Sequence, residues 1–440
     1  YGMDGEAVAL VEDLDGDGNI ESADGARVWV VIGQRRGGTG LYAVDLTDPD
    51  SPRFKWMIDD RTPGFAQLAL SFSAPRQARL DLGVGSPSSA LVFAGGYNGG
   101  WRDADRIGKD AGDASDTVGN AIFVVAASDG SLIWKAVGPN GSMVADESDQ
   151  LHFAAAMTHS IPAALAVVDS DGNGIDDRAY VGDSGGKVWR VELTEYDNRQ
   201  ADTGARNWSV SRIARLGGTG VSDRRFFHAP DVVHSRDGIG AYHGLLLVSG
   251  NRAAPRETTA RNFAYLLKDR WRGSEVGPGA GSATAPGHDE LTDITSVCAS
   301  SGDPACAPRD LAKGWRLELQ TAGEKGVSTP LVANGMVLFT SYLPPGAGAA
   351  EPCAHGEGSG RVYALQLADG APGLPPPGGL DLPGSADRYH PLGPGMPGAV
   401  VPHGDRVLVP GKGIGGGQLV EVPGATRWRT YWREEEVDRF

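Results

Sequence analysis

Short apolar runs recur along the chain, most of them alternating with polar residues at least in part. They close on turns containing Asp, Gly or Pro, which is the pattern of half-buried strands. The clearest recurrence covers residues 40–46, 121–127, 186–193, 262–267, 360–367 and 417–422. Each is preceded by another short run, usually ending in small residues, at 28–33, 91–96, 179–183, 245–250, 337–342 and 407–411. A still earlier strand is often opened by proline (Pro75, Pro162, Pro230, Pro330), whose missing N–H costs little at a strand's first residue. Trp56, Trp134 and Trp208 follow the third runs of the first three units, where a fourth strand would sit.

Four antiparallel strands per unit, recurring in six recognisable units, predict an all-β modified β-propeller. A β-sandwich or two separate β-domains is the alternative, and repetition of the same three-strand order favours the propeller over both. The units differ in length, so the array is neither a strict WD40 nor a kelch repeat. The first unit begins at the chain start, so its blade reads as incomplete or one blade as missing. Residues 98–120, 270–312 and 370–398, rich in Gly, Pro, Asp and Ser, read as long surface loops inserted in a single domain spanning 1–440.

Composition supports this picture. Glycine reaches 65 of 440 residues, with 28 prolines, which favours tight turns and short strands over long helices. The formal net charge of −16 repels phosphate backbones and speaks against nucleic-acid binding, while suiting a collector of divalent cations. No apolar run approaches the 18 or so residues of a membrane span. The chain opens at Tyr1 without an initiator Met or a leader-like run, which reads as a fragment or processed product lacking an N-terminal region. Of three cysteines, Cys298 and Cys306 lie close enough for a short disulfide loop, while three free thiols fit equally well; Cys353 has no mate either way.

The strongest chemical signal lies in two acidic turns. In residues 13–24, Asp13, Asp15, Asp17, Glu21 and Asp24 place side-chain oxygens at loop positions 1, 3, 5, 9 and 12. Gly18 makes the sharp turn and Asn19 offers its backbone carbonyl at position 7. This is EF-hand spacing, with Asp replacing the usual Glu at the last position. In residues 169–177, Asp169, Asp171, Asn173 and Asp177 fill positions 1, 3, 5 and 9, with Gly174 at the turn and Ile175 giving a carbonyl. Position 12 is Tyr180, so Asp177 through both oxygens, or solvent, completes the shell. Calcium takes six to eight hard oxygens, which such loops supply, so one or two Ca²⁺ ions are expected. Asp, Asn and Gly also favour metal-free turns, although several spaced acids around a placed glycine are hard to obtain that way. Both loops fall in the first hairpin of their unit, where the fifth unit carries a bare Asn334–Gly335 turn.

At these residues the chain resembles the C-terminal domain of the PilY/PilC family of type IV pilus tip-adhesin and biogenesis proteins. The matching stretches are 1–5, 40–49, 169–193 and 323–330, and the resemblance spans nearly the whole chain. It implies a propeller of about seven blades with a nine-residue calcium loop tied to the balance of pilus extension and retraction. By position the implied ligands are Asp169, Asp171, Asn173, Ile175 and Asp177; the loop at 13–24 is an addition to the family pattern. The implied partners are minor pilins and a host or abiotic surface. The implied location is extracellular, at the pilus tip or outer-membrane surface of a Gram-negative bacterium, in adhesion and twitching motility. No Arg-Gly-Asp tripeptide is present.

The competing reading is a quinoprotein dehydrogenase of the PQQ type, whose blades also use calcium. The adjacent cysteine pair common in such enzymes is missing, and the calcium loops look self-contained, so a non-enzymatic protein is favoured. A Gly-x-Ser-x-Gly match at 182–186 lies between two strands, whereas a nucleophile elbow needs a strand running into a helix. The nine histidines are scattered.

Overall fold

A computed structural model describes residues 2–13, 18, 20, 25–82, 87–99, 110, 115–139, 151–193, 208–270, 285–296, 310–345, 356–373, 388–403, 406–410 and 417–421. The chain divides into two compact units, one chiefly Tyr1–Ser184 with Trp189–Ser211, the other chiefly Gly185–Val188 with Arg212–Thr430.

The first unit carries two whole sheets and the larger part of a third, whose β12 and β13 each belong partly to the second unit. The first is a four-stranded antiparallel meander of β1 (Ala7–Glu12), β2 (Arg27–Gly33), β3 (Leu41–Asp45) and β4 (Arg53–Ile58). The second runs β5 (Arg76–Leu80), β6 (Ser88–Ala94), β7 (Ala121–Ala126), β8 (Leu132–Val137), with β9 (Leu151–Phe153) added in parallel outside β8. The third runs β10 (Ala166–Val168), β11 (Arg178–Gly182), β12 (Lys187–Glu192), β13 (Ser209–Arg215).

The second unit repeats the arrangement. Its first sheet holds β14 (Asp231–Arg236), β15 (Ala241–Val248), β16 (Phe263–Asp269) and β18 (Gly314–Glu318), with β17 (Thr292–Asp293) parallel outside β18. In the next, β21 (Met336–Leu343) pairs with β19 (Lys325–Gly326) and β20 (Leu331–Ala333), then β22 (Ser359–Gln366) and β23 (Tyr389–Pro394) follow. A three-stranded sheet of β24 (Val401–His403), β25 (Arg406–Pro410) and β26 (Gly417–Glu421) is last.

All six third strands and all six second strands read from the pattern are strands in the structure. Asn334 and Gly335 both take positive φ, 52° and 75°, as the two-residue turn between β20 and β21 requires. Two stretches read as loops hold strands instead: β17 lies within 270–312 and β23 within 370–398, and Leu291 and Ile294 beside β17 are buried. β17 has only two residues, and β23 carries Pro391, Gly393 and Pro394, so neither shows the alternation of a strand.

Each core lies between adjacent sheets. Trp29, Trp56, Phe65, Phe93 and Phe123 pack between the first two sheets, and Trp134, Trp189 and Trp208 between the second and third. In the second unit Leu246, Leu266, Trp315, Phe339 and Tyr363 do the same. The indole N–H of Trp56 donates to the carbonyl of Ala127 at 3.1 Å, and that of Trp315 to the carbonyl of Leu367 at 3.1 Å. Both acceptors directly follow the third strand of the next sheet. Each starts a four-residue turn ending in a glycine at positive φ, Gly130 (74°) or Gly370 (70°). A Cβ on Gly130 would meet the Trp56 ring at 3.0 Å, so the turn needs glycine for space as well as conformation. An extra residue bulges out just before the tryptophan in β4 and again in β8, shown by register shifts at Ala43/Val44 and Val124/Val125.

Candidate metal centre

The loop 169–177 joins β10 to β11, whose last pair is Val168 with Arg178. A wholly apolar run, 163–168, ends at Val168, and the acidic stretch that follows cannot continue a buried strand. The chain instead coils on itself. Asp169 Oδ1 accepts from the amides of Gly172 (2.8 Å) and Asn173 (3.2 Å), and Oδ2 from Gly174 (2.8 Å). Asp171 Oδ1 accepts from the Asn173 amide at 3.1 Å, and Asn173 Oδ1 from the Ile175 amide at 2.8 Å. Side chains at positions 1, 3 and 5 thus fold over one turn, each capping backbone N–H groups two to five residues ahead. Gly172 and Gly174 both take positive φ, 77° and 84°, with nothing within 4 Å of a notional Cβ, so they serve conformation alone.

Asp177 closes the loop from the other side. Its carboxylate accepts from the Ser170 amide (2.9 Å) and hydroxyl (2.5 Å), and its own amide donates to the Val168 carbonyl at 3.1 Å. Burial pushes its carboxyl above the ordinary carboxylate range, opposed by the Ser170 hydrogen bonds and by Arg178, while the charge of Asp171 adds to the upward shift. Asp176, which the spacing did not single out, ties the loop to the neighbouring sheet: its amide donates to the Arg79 carbonyl and its carboxylate accepts from the Arg79 amide, both at 2.8 Å. Beneath the loop, Arg178 is buried and its guanidinium lies 3.2 Å from Glu192.

The structure therefore brings Asp169, Asp171 and Asn173 onto one exposed turn, with the Ile175 carbonyl next in sequence and Asp177 turned onto Ser170. Among the described residues no three His, Cys, Asp or Glu side chains already converge as a metal cluster. The chemistry of the donor set nonetheless fits a hard cation: three carboxylates, one amide oxygen and one carbonyl, on a turn already fixed by its own amides. In the loop at 13–24 the carboxylate of Asp13 accepts from the Gly18 amide at 2.9 Å, and Gly18 takes φ 83°, the same device as Asp169 with Gly174. Asp15, Asp17, Asn19, Glu21 and Asp24 lie outside the described residues.

No protein-family model matches the chain. A type IV pilus biogenesis factor PilY1 homolog of Xylella fastidiosa is 25% identical over 414 residues, covering 89% of this chain and 25% of its own length. PilY1 of Pseudomonas aeruginosa strain UCBPP-PA14 is 30% identical over 171 residues, 39% of this chain and 12% of its own. The crystal structure of the Pseudomonas aeruginosa PilY1 C-terminal domain matches with a TM-score of 0.61 at 18% identity, covering 92% of this chain and 82% of that one. This chain is similar to PilY1 in sequence and has the fold of the PilY1 C-terminal domain. The fold class is thus the modified β-propeller that the strand pattern predicts. The chain spans about a quarter of the length of the Xylella relative. A quinohemoprotein alcohol dehydrogenase of Comamonas testosteroni matches at a TM-score of only 0.41, which carries no argument for cofactor chemistry.

Other residues of the PilY1-like fold can now be placed. Ser184, centre of the Gly-x-Ser-x-Gly match, is fully buried in the turn between β11 and β12, where its hydroxyl lies 3.1 Å from that of Ser160. That turn is not a strand-to-helix elbow. Asp116, from a stretch read as surface loop, is buried and accepts from the Ser160 amide at 2.7 Å and the Asn98 side chain at 3.2 Å. Cys298, Cys306 and Cys353 lie outside the described residues. No helix among the described residues is long and apolar enough to cross a membrane.

Proposed function

We propose that this chain is a calcium-binding module of a type IV pilus biogenesis protein, acting at the pilus tip in assembly, in control of extension and retraction, and in surface adhesion. The similarity to PilY1 proteins supports the pilus setting. The observation that carries the calcium reading is the turn of 169–177, where Asp169, Asp171 and Asn173 are drawn over one backbone nest at EF-hand spacing. Asp169, Asp171, Asn173, the Ile175 carbonyl and Asp177 would hold the ion, which would supply positive charge among carboxylates that otherwise repel one another. Asp177 would turn from Ser170 toward the ion, so binding and the closure at Ser170 compete. Because Asp176 fixes the loop to β5, an ion there would stiffen the hairpin against its neighbour sheet. A second ion at Asp13, Asp15, Asp17, Asn19, Glu21 and Asp24 would act on the β1–β2 hairpin in the same way.

In this reading the partners are minor pilins and a host or abiotic surface, and the location is extracellular, at the pilus tip or outer-membrane surface of a Gram-negative bacterium. The module binds and positions; it performs no bond chemistry. The test is genetic: a strain lacking the full-length protein is complemented with wild type or with Asp169→Ala/Asp171→Ala. The expected result is normal protein level with altered surface piliation and reduced twitching. Unchanged piliation and twitching with the double variant would sink the regulatory role of the ion.

A further inference from the structure

In the second unit a cavity of about 130 Å³ is lined by Glu318 of β18, Arg361 of β22, Tyr389 of β23, and Gln320 and Thr321 just after β18. Two of the three charged side chains in the lining are arginines, Arg361 and Arg388, in a chain of net charge −16. The third, Glu318, is held by Arg261, whose Nε donates to one carboxylate oxygen at 2.6 Å and whose Nη2 donates to the other.

Arg361 is the group whose bonding is incomplete. Its Nη1 donates to Glu324 Oε2 at 2.6 Å and to the Thr321 hydroxyl oxygen at 2.9 Å, and its guanidinium carbon lies 4.2 Å from the centre of the Tyr389 ring. These contacts fix the guanidinium and occupy one nitrogen. Nε and Nη2, the side edge of the fork, have no partner among the described residues, and the side chain is 18% exposed. That edge presents two parallel N–H groups, the arrangement that pairs with both oxygens of one carboxylate. An arginine already held by a buried glutamate and a tyrosine ring loses little rotamer freedom on binding. Thr321, which accepts from Arg361, keeps its own hydroxyl hydrogen to donate, and the Gln320 amide is a further donor in the lining.

The geometry points to this cavity as a carboxylate-binding site, in which Arg361 takes both oxygens through Nε and Nη2. A cation would face two arginines. A dianion such as inorganic phosphate would meet added repulsion from Glu318 and from Glu324 behind Arg361, whereas a single carboxylate matches the one free edge. The same group is offered by a small free acid and by a glutamate side chain of a partner protein.

Nuclear magnetic resonance on the whole chain tests this, following the Arg361 Nε–Hε resonance and the relaxation of labelled acetate. The probes are sodium acetate, acetyl-glutamate α-amide and the neutral acetamide, all at one ionic strength. Acetate at millimolar concentration is expected to move the Arg361 resonance saturably, and acetamide to leave it in place. Acetyl-glutamate α-amide binding about tenfold tighter than acetate assigns the carboxylate to a protein side chain, and equal affinities assign it to a free acid. Arg361→Lys keeps a positive charge beside Glu324 but loses the planar fork, and is expected to abolish the enhanced relaxation of acetate with the melting temperature measured alongside. No saturable shift with acetate, or an equal shift with acetamide, overturns the proposal on wild type alone. So does acetate relaxation that is the same with Arg361→Lys as with wild type.

Discussion

Glu324 is fully buried in the second unit, and its carboxylate is the hub of a closed network. Oε1 accepts from the Ser341 hydroxyl (2.6 Å) and the Tyr363 hydroxyl (2.9 Å), and Oε2 from Arg361 Nη1 (2.6 Å). Its backbone carbonyl accepts from the Asn262 side chain at 2.9 Å. Arg361 also stacks over Tyr389 at 4.2 Å, and both line a cavity of about 130 Å³. Glu324→Ala would take the carboxylate from one guanidinium, which keeps only Thr321 Oγ1 at 2.9 Å, and from two hydroxyls at once. Each orphaned neutral donor costs about 1 kcal/mol or more, and breaking a buried ion pair from one side costs about 3–5 kcal/mol. Solvent reaches Arg361 (side chain 18% exposed), so the lower end of that range applies. The expected loss is about 3–4 kcal/mol, read from urea unfolding followed by intrinsic fluorescence. Glu324→Leu/Arg361→Met removes both charges together and is expected to lose less than the single variant. A single-variant loss under about 1 kcal/mol, or a double variant worse than the single one, would refute the reasoning.

Three further outcomes follow from the same contacts. Trp56→Phe and Trp315→Phe each leave one interior carbonyl, of Ala127 or Leu367, without its indole donor, and should each cost about 1–3 kcal/mol in urea unfolding; near-equal costs would show that the two units use one device. Asp231, whose carboxylate accepts from the Val332 amide, has its carboxyl pushed up to about 6 by burial. The folded state therefore holds a proton between pH 3.8 and about 6 that the unfolded chain has released, so Asp231 makes stability fall as pH rises through that window. Asp231→Asn should gain on wild type by about 2 kcal/mol more at pH 7.5 than at pH 4.5, and a pH-independent difference would contradict the assignment. Asp176→Ala removes the carboxylate from the Arg79 amide, leaving the backbone bond between the two residues, and should speed exchange of that amide about tenfold or more, since a hydrogen bond to a carboxylate contributes about 1.5–3 kcal/mol.

Much of this fold is legible because strand alternation is local. The second and third strands carry enough alternating residues to be read singly, and Trp56, Trp134 and Trp208 mark the fourth strands from their place after them. Trp315 escapes that reading because more than forty residues separate it from β16, so nothing nearby ties it to its blade. β17 and β23 are invisible for another reason: they exist because β18 and β22 offer them an edge, a tertiary cause with no local signature. The acidic loop divides similarly. Asp169, Asp171, Asn173 and the glycines are readable because their spacing specifies the turn. The pairing of Asp176 with Arg79, 97 residues away, and the turning of Asp177 onto Ser170 are not.

Titration calorimetry with calcium tests the central claim most directly, on wild type, Asp169→Ala/Asp171→Ala and Asp13→Ala/Asp15→Ala. Saturable binding by wild type is expected, with the site at 169–177 lost only in the first variant and any site at 13–24 only in the second. If wild type takes up no calcium, or if Asp169→Ala/Asp171→Ala binds as wild type does, the loop at 169–177 is a metal-free turn and the calcium reading is wrong.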